Sequence, residues 1–244
     1  MPGKLQVTRI TIVMKIPTEH EWEEVLRAAA RLQSIVPDAV LVGGTAAEFA
    51  HHRVSFDDDH VVTDLRERFD TVLADLEATE GWVTARVKRP VLILGSLDGV
   101  ETGVRNLIRR LPLEVEVHET AHGPIRVPTL QEILRVKSWL ALVRNATRDY
   151  LDVVALASRL GDAAVDVLLS LDTYYADQRG PGGARVATQL ARQLAEPRPY
   201  DLSAVDLANY RRLESRWRDW TAVADACRAL AVAMLDRVAE EEHQ

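Results

Sequence analysis

The 244-residue sequence contains almost no cysteine and no long apolar run. Cys227 is its single cysteine, which excludes an intrachain disulfide and is typical of proteins from a reducing compartment. No stretch of about 20 apolar residues occurs, so we expect no transmembrane helix and no membrane partner. The N-terminus lacks the apolar core and small-residue cleavage site of a signal peptide. These absences together predict a cytoplasmic protein.

The composition is otherwise that of a globular protein, with 47% hydrophobic and 27% charged residues. The formal net charge of −7 argues against broad, non-specific nucleic-acid binding, although it leaves room for a local basic site.

Hydrophobic patterning divides the chain into two parts. Before about residue 127, β-branched alternating segments are interleaved with amphipathic helical ones, whereas from residue 128 almost every segment has helical spacing. We therefore expect an α/β (α+β) N-terminal domain over 1–127, with a small mixed sheet, and an all-helical domain over 128–244. The predicted strands cover 5–14, 38–44, 55–63, two strands within 82–99, 112–119 and 123–128; the predicted helices cover 17–35, 45–53, 64–79, 128–161 with a possible break at 145–147, 184–196 and 202–240.

Three aspartates stand in a row within the strand candidate "SFDDDHVVT". In a strand, Asp57 and Asp59 share one face and Asp58 lies on the other. Two carboxylates on one face repel each other unless a cation lies between them, and magnesium prefers oxygen ligands combined with substrate phosphates. The pattern therefore favours a divalent-metal site for phosphoryl transfer.

Two glycines precede this segment, between a strand and a short helix. Gly43 and Gly44 let the backbone approach a ligand closely, and Thr45 adds a hydroxyl where a helix N-terminus favours a phosphate. Two other interpretations of the region stay open. The aspartates are a solvated acidic turn, or His51, His52 or His60 joins them in the metal site of a hydrolase.

A second group of charged residues occupies "ILRVKSWLALVRNATRDYLDVVAL". On one continuous helix, Arg144 and Arg148 would lie within about 20° of Lys137, with Asp152 about 60° and Asp149 about 120° away. Such a cationic stripe suits a triphosphate. A solvated face with an Arg148–Asp152 ion pair is the alternative.

Taken together, "VGGTAAEFAHHRVSFDDD" and the later "PTLQEILRVKSWLALVRNATRDYLDVVAL" resemble the AbiEii-type nucleotidyltransferase toxins of the polymerase-β-like superfamily. The resemblance covers about residues 38–160. It implies transfer of a nucleoside monophosphate from an NTP to an acceptor hydroxyl. In that family some members act on tRNA 3′ ends, and a toxin is paired with an antitoxin protein.

The resemblance also implies roles for individual residues. Asp57 and Asp59 would bind Mg²⁺, and Asp149 or Asp152 would orient Lys137 or accept the proton of the acceptor. The remaining residues would hold the phosphates: Gly43, Gly44, Thr45, Lys137, Arg144 and Arg148.

The sequence departs from the family at Asp58, where an apolar residue is usual, so a register using Asp58 and His60 is an alternative. Candidates for a third metal-binding carboxylate are Asp98, Glu114 and Glu116. If none of the three lies in the site, either Asp149 or Asp152 completes it or the enzyme is inactive.

A tRNA acceptor would need a basic surface, for which 86–89 and 105–110 are the candidates. Two rival functions remain, a small-molecule nucleotidyltransferase of the antibiotic-modifying kind and a non-catalytic binding module that keeps the fold.

Overall fold

The computed structural model describes residues 19–43, 58–179, 182–205, 207, 210 and 214–242. Asp57, Gly44, Thr45, His51 and His52 therefore lie outside the described residues, as does the predicted strand at 5–14. The described strands are β1 (Val40–Val42), β2 (Asp58–Val62), β3 (Trp82–Lys88), β4 (Leu92–Leu97), β5 (Val100–Asn106), β6 (Val115–Thr120) and β7 (Gly123–Pro128). The described α-helices are α1 (Glu19–Ile35), α2 (Leu65–Glu77), α3 (Leu130–Arg144), α4 (Thr147–Leu160), α5 (Ala163–Leu169), α6 (Leu171–Tyr174), α7 (Val186–Ala195) and α8 (Trp220–Glu242).

Five strands form a mixed sheet in the order β1-β2-β5-β4-β3. Strands β2 and β5 are parallel, and every other neighbouring pair is antiparallel. Strands β6 and β7 form a separate antiparallel hairpin. The expected α+β fold, with a small mixed sheet followed by helices, is therefore confirmed.

One face of the five-stranded sheet is covered by α1 and α2. Leu32 of α1 and Phe69 of α2 pack there against Ile93, Leu97 and Val104 of the sheet. Because alternate residues of a strand point to opposite faces, this packing leaves the other face of the sheet uncovered by these two helices. We call that second surface the open face.

The C-terminal part is helical and has its own core around α4, whose residues Tyr150–Ala157 are buried without interruption. Helix α8 closes this core with Val223, Cys227 and Met234. Burial raises the pKa of the Cys227 thiol to about 12, which agrees with a structural rather than a nucleophilic role. None of the helices among the described residues is long and apolar enough to cross a membrane.

The long helical segment that begins at 128 is interrupted where the sequence suggested. Thr129 caps α3 by accepting a hydrogen bond from the Glu132 amide at 3.2 Å, and Asn145 ends it in the left-handed conformation with φ 51°. Asp201 then accepts hydrogen bonds at 2.7 Å from the amide and the hydroxyl of Thr147, the first residue of α4. A distant acidic side chain thus supplies the cap that the preceding Ala146 cannot.

The expectation of helix throughout 202–240 is only partly right. Between 202 and Trp220 the described residues include the short 3₁₀ turns Leu202–Ala204 and Ser215–Arg218, and the long helix begins at Trp220. Strand β5 was not predicted at all.

Candidate functional site

Asp59 lies on the open face of the sheet. Its side chain is 31% exposed, whereas the next residue, His60, is fully buried on the opposite face. This alternation follows from the strand geometry of β2. It also means that His60 does not face the same side as Asp59, so a register that uses His60 lacks this residue on the open face.

The neighbouring strand β5 brings three further residues to the open face beside Asp59. Gly103 lies directly opposite Asp59, and Arg105 lies opposite Val61. Arg105 donates to Asp59 Oδ1 from Nε at 3.3 Å and from Nη2 at 3.2 Å. Glu101 precedes Gly103 by two residues and therefore shares its face. Sequence reasoning did not find Glu101, because the strand that carries it was not predicted.

A groove of about 500 Å³ runs over this face of the sheet. Its charged lining consists of two carboxylates, Asp59 and Glu101, and two guanidinium groups, Arg86 and Arg105. The rest of the lining is small or apolar, namely Val83, Ala85, Leu94, Gly95, Ser96 and Thr102. The groove therefore offers carboxylate and guanidinium groups side by side, as a nucleotide with its metal would require.

The carboxylate oxygens of Asp59 and Glu101 suit a hard cation such as Mg²⁺, which commonly takes one or two carboxylates and completes its shell with water and phosphate. Among the described residues, no group of three or more His, Cys, Asp or Glu side chains is arranged to hold a metal ion. The described residues therefore fit Mg²⁺ only if Asp59 and Glu101 supply one or two ligands and water and phosphate supply the others. Gly43, at the end of β1, has φ +82°, a conformation that favours glycine.

The second charged group surrounds the junction of α3 and α4. Lys137 and Asp152 are both buried, and their Nζ and Oδ2 atoms are 2.7 Å apart. Asp152 therefore pairs with Lys137 rather than with Arg148. Arg144 and Arg148 are exposed, and the break at Asn145 places them on different helices, so the three cations do not form a stripe along one helix.

Asp149 lies beside this ion pair and is 1% exposed. Its Oδ2 atom has no hydrogen-bond partner among the described residues. Burial, and next the negative charge of Asp152, raises the pKa of Asp149, although Arg144, Lys137 and Arg148 oppose the shift. The structure thus separates the two aspartates: Asp152 is engaged by Lys137, and Asp149 keeps one buried oxygen available.

The three carboxylates predicted as a third metal ligand all have other partners. Asp98 binds Arg31 in the turn between β4 and β5, and Glu116 binds His118 at 2.8 Å. Glu114 lies 2.9 Å from Arg135 and accepts a hydrogen bond from Tyr174. None of them lines the groove beside Asp59.

The basic stretches also separate into different environments. Arg86 and Lys88 are exposed on β3, whereas Arg89 pairs with Asp70. Arg109 is buried and pairs with Glu132 at 2.9 Å, so it is not accessible to a nucleic acid.

No protein-family model matches the chain. It is 28% identical over 240 residues to the mycolic acid-containing lipids exporter MmpL11 of Mycolicibacterium smegmatis, an alignment that covers 96% of this chain and 24% of the exporter. It is 31% identical over 235 residues to the heme uptake protein MmpL11 of Mycobacterium tuberculosis, covering 91% of this chain and 23% of that protein. The chain thus spans about a quarter of the length of these relatives.

Solved structures share the fold over most of the chain. JHP933 from Helicobacter pylori matches with a TM-score of 0.52 at 15% identity, covering 93% of this chain and 97% of that one. A candidate nucleotidyltransferase from H. pylori matches with a TM-score of 0.51 at 15% identity, covering 93% and 100%. At such identity the likeness concerns the fold alone, and the chain has a nucleotidyltransferase-like fold.

Proposed function

We propose that this chain transfers a nucleoside monophosphate from an NTP to an acceptor hydroxyl in a Mg²⁺-dependent reaction. The observation that carries the proposal is Asp59, held beside Glu101 and Arg105 over the groove on the open face of a nucleotidyltransferase-like sheet. We place the reaction in the cytoplasm. AbiEii-type membership is likewise a proposal, supported by the motifs described above.

In this proposal Asp57 and Asp59 hold the metal, and Gly43, Gly44 and Thr45 bind phosphate at the start of the following segment. When bound, Mg²⁺ would withdraw charge from the phosphate oxygens and orient the triphosphate. The exposed Arg144 and Arg148 neutralise the remaining phosphate charge. Lys137 contributes to that neutralisation only by sharing its ammonium between Asp152 and the phosphates, because the two side chains are paired at 2.7 Å.

The oxygen of the acceptor hydroxyl forms a bond to the α-phosphorus of the NTP. The bond between that phosphorus and the oxygen that joins it to the β-phosphorus breaks, and pyrophosphate leaves. The hydroxyl proton passes to a carboxylate. Asp149 is better suited to this role than Asp152, because its Oδ2 has no partner among the described residues and its raised pKa increases its basicity. Asp152 then positions Lys137.

We further propose a tRNA 3′ end as the acceptor, with the chain acting as the toxin of a toxin–antitoxin or phage-defence pair. The resemblance to the AbiEii-type family and the exposed Arg86 and Lys88 beside the groove support this choice. A small-molecule acceptor and a non-catalytic module are the rivals.

The similarity to transport proteins favours a second candidate function. Nearly the whole chain aligns with about a quarter of an MmpL11 transporter. We propose that this fold also serves such transporters as a nucleotide-binding module, in which case the acceptor would be a transport protein or its cargo.

Calorimetric titration with each NTP, with and without Mg²⁺, tests the proposal. Wild-type protein should bind at least one NTP in a Mg²⁺-dependent manner. Asp59→Ala should weaken this binding at least about tenfold, since it removes a charged ligand group. Asp75→Ala, which removes an exposed carboxylate from α2, should bind like the wild type.

Equal binding by wild type and Asp59→Ala would contradict the assignment, and no binding by wild type would favour the non-catalytic module. Once binding is established, the protein is incubated with labelled NTP and, separately, with tRNA, with aminoglycosides or with a purified MmpL11 transporter. Transfer of the label to one of them distinguishes the three classes of acceptor.

A further inference from the structure

Arg105 and Asp59 are neighbours because of the parallel register of β2 and β5. Val61, the partner of Arg105, is two residues along β2 from Asp59, so the two side chains lie diagonally on the same face. Both Arg105 donors reach a single oxygen, Asp59 Oδ1, at 3.2 and 3.3 Å. The side chains are 44% and 31% exposed, which leaves the ion pair open to the groove.

Gly103, directly opposite Asp59, places no side chain of β5 next to these two residues. A Cβ atom at 103 would lie 2.5 Å from the carbonyl oxygen of Ile93 and 2.6 Å from a methyl group of Leu94. No larger residue fits without a shift of the strands, so no side chain of β5 stands between Arg105 and Asp59.

The two hydrogen bonds from Arg105 occupy Oδ1 of Asp59, and the positive guanidinium repels a metal ion that binds the same carboxylate. A metal that arrives alone therefore binds Asp59 at the expense of the Arg105 ion pair, which weakens its binding. A triphosphate changes the balance, because its oxygens give the displaced guanidinium a charge-assisted partner.

We infer that Arg105 is the resident counter-ion of Asp59 and moves to the phosphates when metal and nucleotide bind together. Arg105 then makes the two ligands bind cooperatively, and by thermodynamic linkage each raises the affinity for the other by the same factor. The inference rests on the proposed function, since it takes the groove to be a metal and triphosphate site.

The experiment uses the full chain with Mn²⁺ as the metal and inorganic tripolyphosphate as the anion, followed by calorimetry and, for Mn²⁺, by electron paramagnetic resonance. Arg105→Met should bind Mn²⁺ alone about two- to fivefold more tightly, as expected from losing a partly exposed competing ion pair. It should bind tripolyphosphate about tenfold more weakly, because a charged hydrogen-bond donor is lost. The factor by which Mn²⁺ strengthens tripolyphosphate binding should fall.

Arg86→Met is the matched control. Arg86 lines the same groove but forms no ion pair with a described residue, so its loss should leave Mn²⁺ affinity unchanged. Circular dichroism checks the fold of each variant, and Arg105→Lys, which keeps the charge but loses the planar fork, replaces Arg105→Met where the latter does not fold. The lysine variant should shift Mn²⁺ affinity in the same direction.

Wild-type-like Mn²⁺ affinity and cooperativity in the Arg105 variant would overturn the inference. So would an Arg86→Met effect of the same size, since it would show a general effect of charge. Failure of the proposed function looks different, because wild-type protein would then bind no tripolyphosphate with or without Mn²⁺.

Discussion

At the scale of single residues, the two buried aspartates of α4 have opposite relations to stability. Asp152 is paired with Lys137 at 2.7 Å, whereas Asp149 Oδ2 lacks a hydrogen-bond partner among the described residues. Burial, followed by the charge of Asp152, raises the pKa of Asp149. A carboxyl group with a raised pKa stabilises the fold in its protonated form. Its contribution is fully present below the unfolded pKa and is lost as the pH rises through the folded pKa.

Asp149→Asn should therefore stabilise the protein at neutral pH, because it removes a carboxylate that is costly to ionise inside the fold. We expect the melting temperature to rise by a few degrees at pH 7 and the difference from wild type to shrink on acidification. Differential scanning calorimetry across this pH range measures both effects. Asp152→Asn, the matched change three residues away, should lower the melting temperature because it leaves Lys137 buried without its anionic partner. Stabilisation by both variants would contradict the distinction between the two aspartates.

At the scale of elements, β5 organises the candidate site. It pairs in parallel with β2 and presents Glu101, Gly103 and Arg105 on the face of Asp59. Gly103→Ala should destabilise the protein by about 1–3 kcal/mol, since the added methyl group meets the backbone of β4 and forces the strands apart. The same shift should reduce NTP binding.

Urea denaturation and calorimetric NTP titration of one preparation test these two effects together. The control is Ser96→Ala, which changes a residue of β4 that lies on the open face. This variant should be close to wild type in both stability and NTP affinity. Unchanged stability of Gly103→Ala would show that the strands accommodate the methyl group.

The sequence predicted the elements whose own pattern is strong and missed those that depend on neighbours. Asn145 interrupts a long helical pattern, and the break between α3 and α4 was predicted there. The β5 segment "VETGVRN" contains a glycine and charged residues, which disfavour a strand locally, and it becomes a strand because β2 and β4 pair with it on both sides. Glu101 was missed for this reason. Asp59 was predicted from the alternation of β2 alone.

At the scale of the whole molecule, a buried ionic cluster joins the sheet-containing part to the helices. Glu132 of α3 binds Arg109 and Arg135 at 2.9 Å each, and Arg135 also reaches Glu114 at 2.9 Å. The Tyr174 ring lies 4.0 Å from the Arg135 guanidinium and 4.7 Å from that of Arg109. The cluster crosses the predicted domain boundary near residue 127, so we expect the two parts to unfold as one unit.

The same cluster makes stability depend on pH. The hydrogen bond from Arg135 lowers the pKa of Glu114 from its ordinary value of 4.5. The stability that Glu114 contributes is therefore present above the unfolded pKa and is lost as the pH falls through the lowered folded value.

Glu132→Gln tests whether this cluster holds the two parts together. The amide keeps the shape of the side chain but removes the charge shared by two arginines, and Arg109 is left buried without an anionic partner. Breaking a buried ion pair in this way costs about 3–5 kcal/mol, so the urea midpoint should fall well below that of the wild type. Glu196→Gln, in the exposed Glu196–Arg198 pair, should leave the midpoint unchanged.

Near-ultraviolet circular dichroism follows the aromatic residues of the helical core, and far-ultraviolet dichroism follows the whole backbone. Among the described residues, this cluster holds the ion pairs between the two parts. Its loss should therefore separate the two transitions. Coincident transitions in Glu132→Gln would mean that apolar packing alone couples the parts.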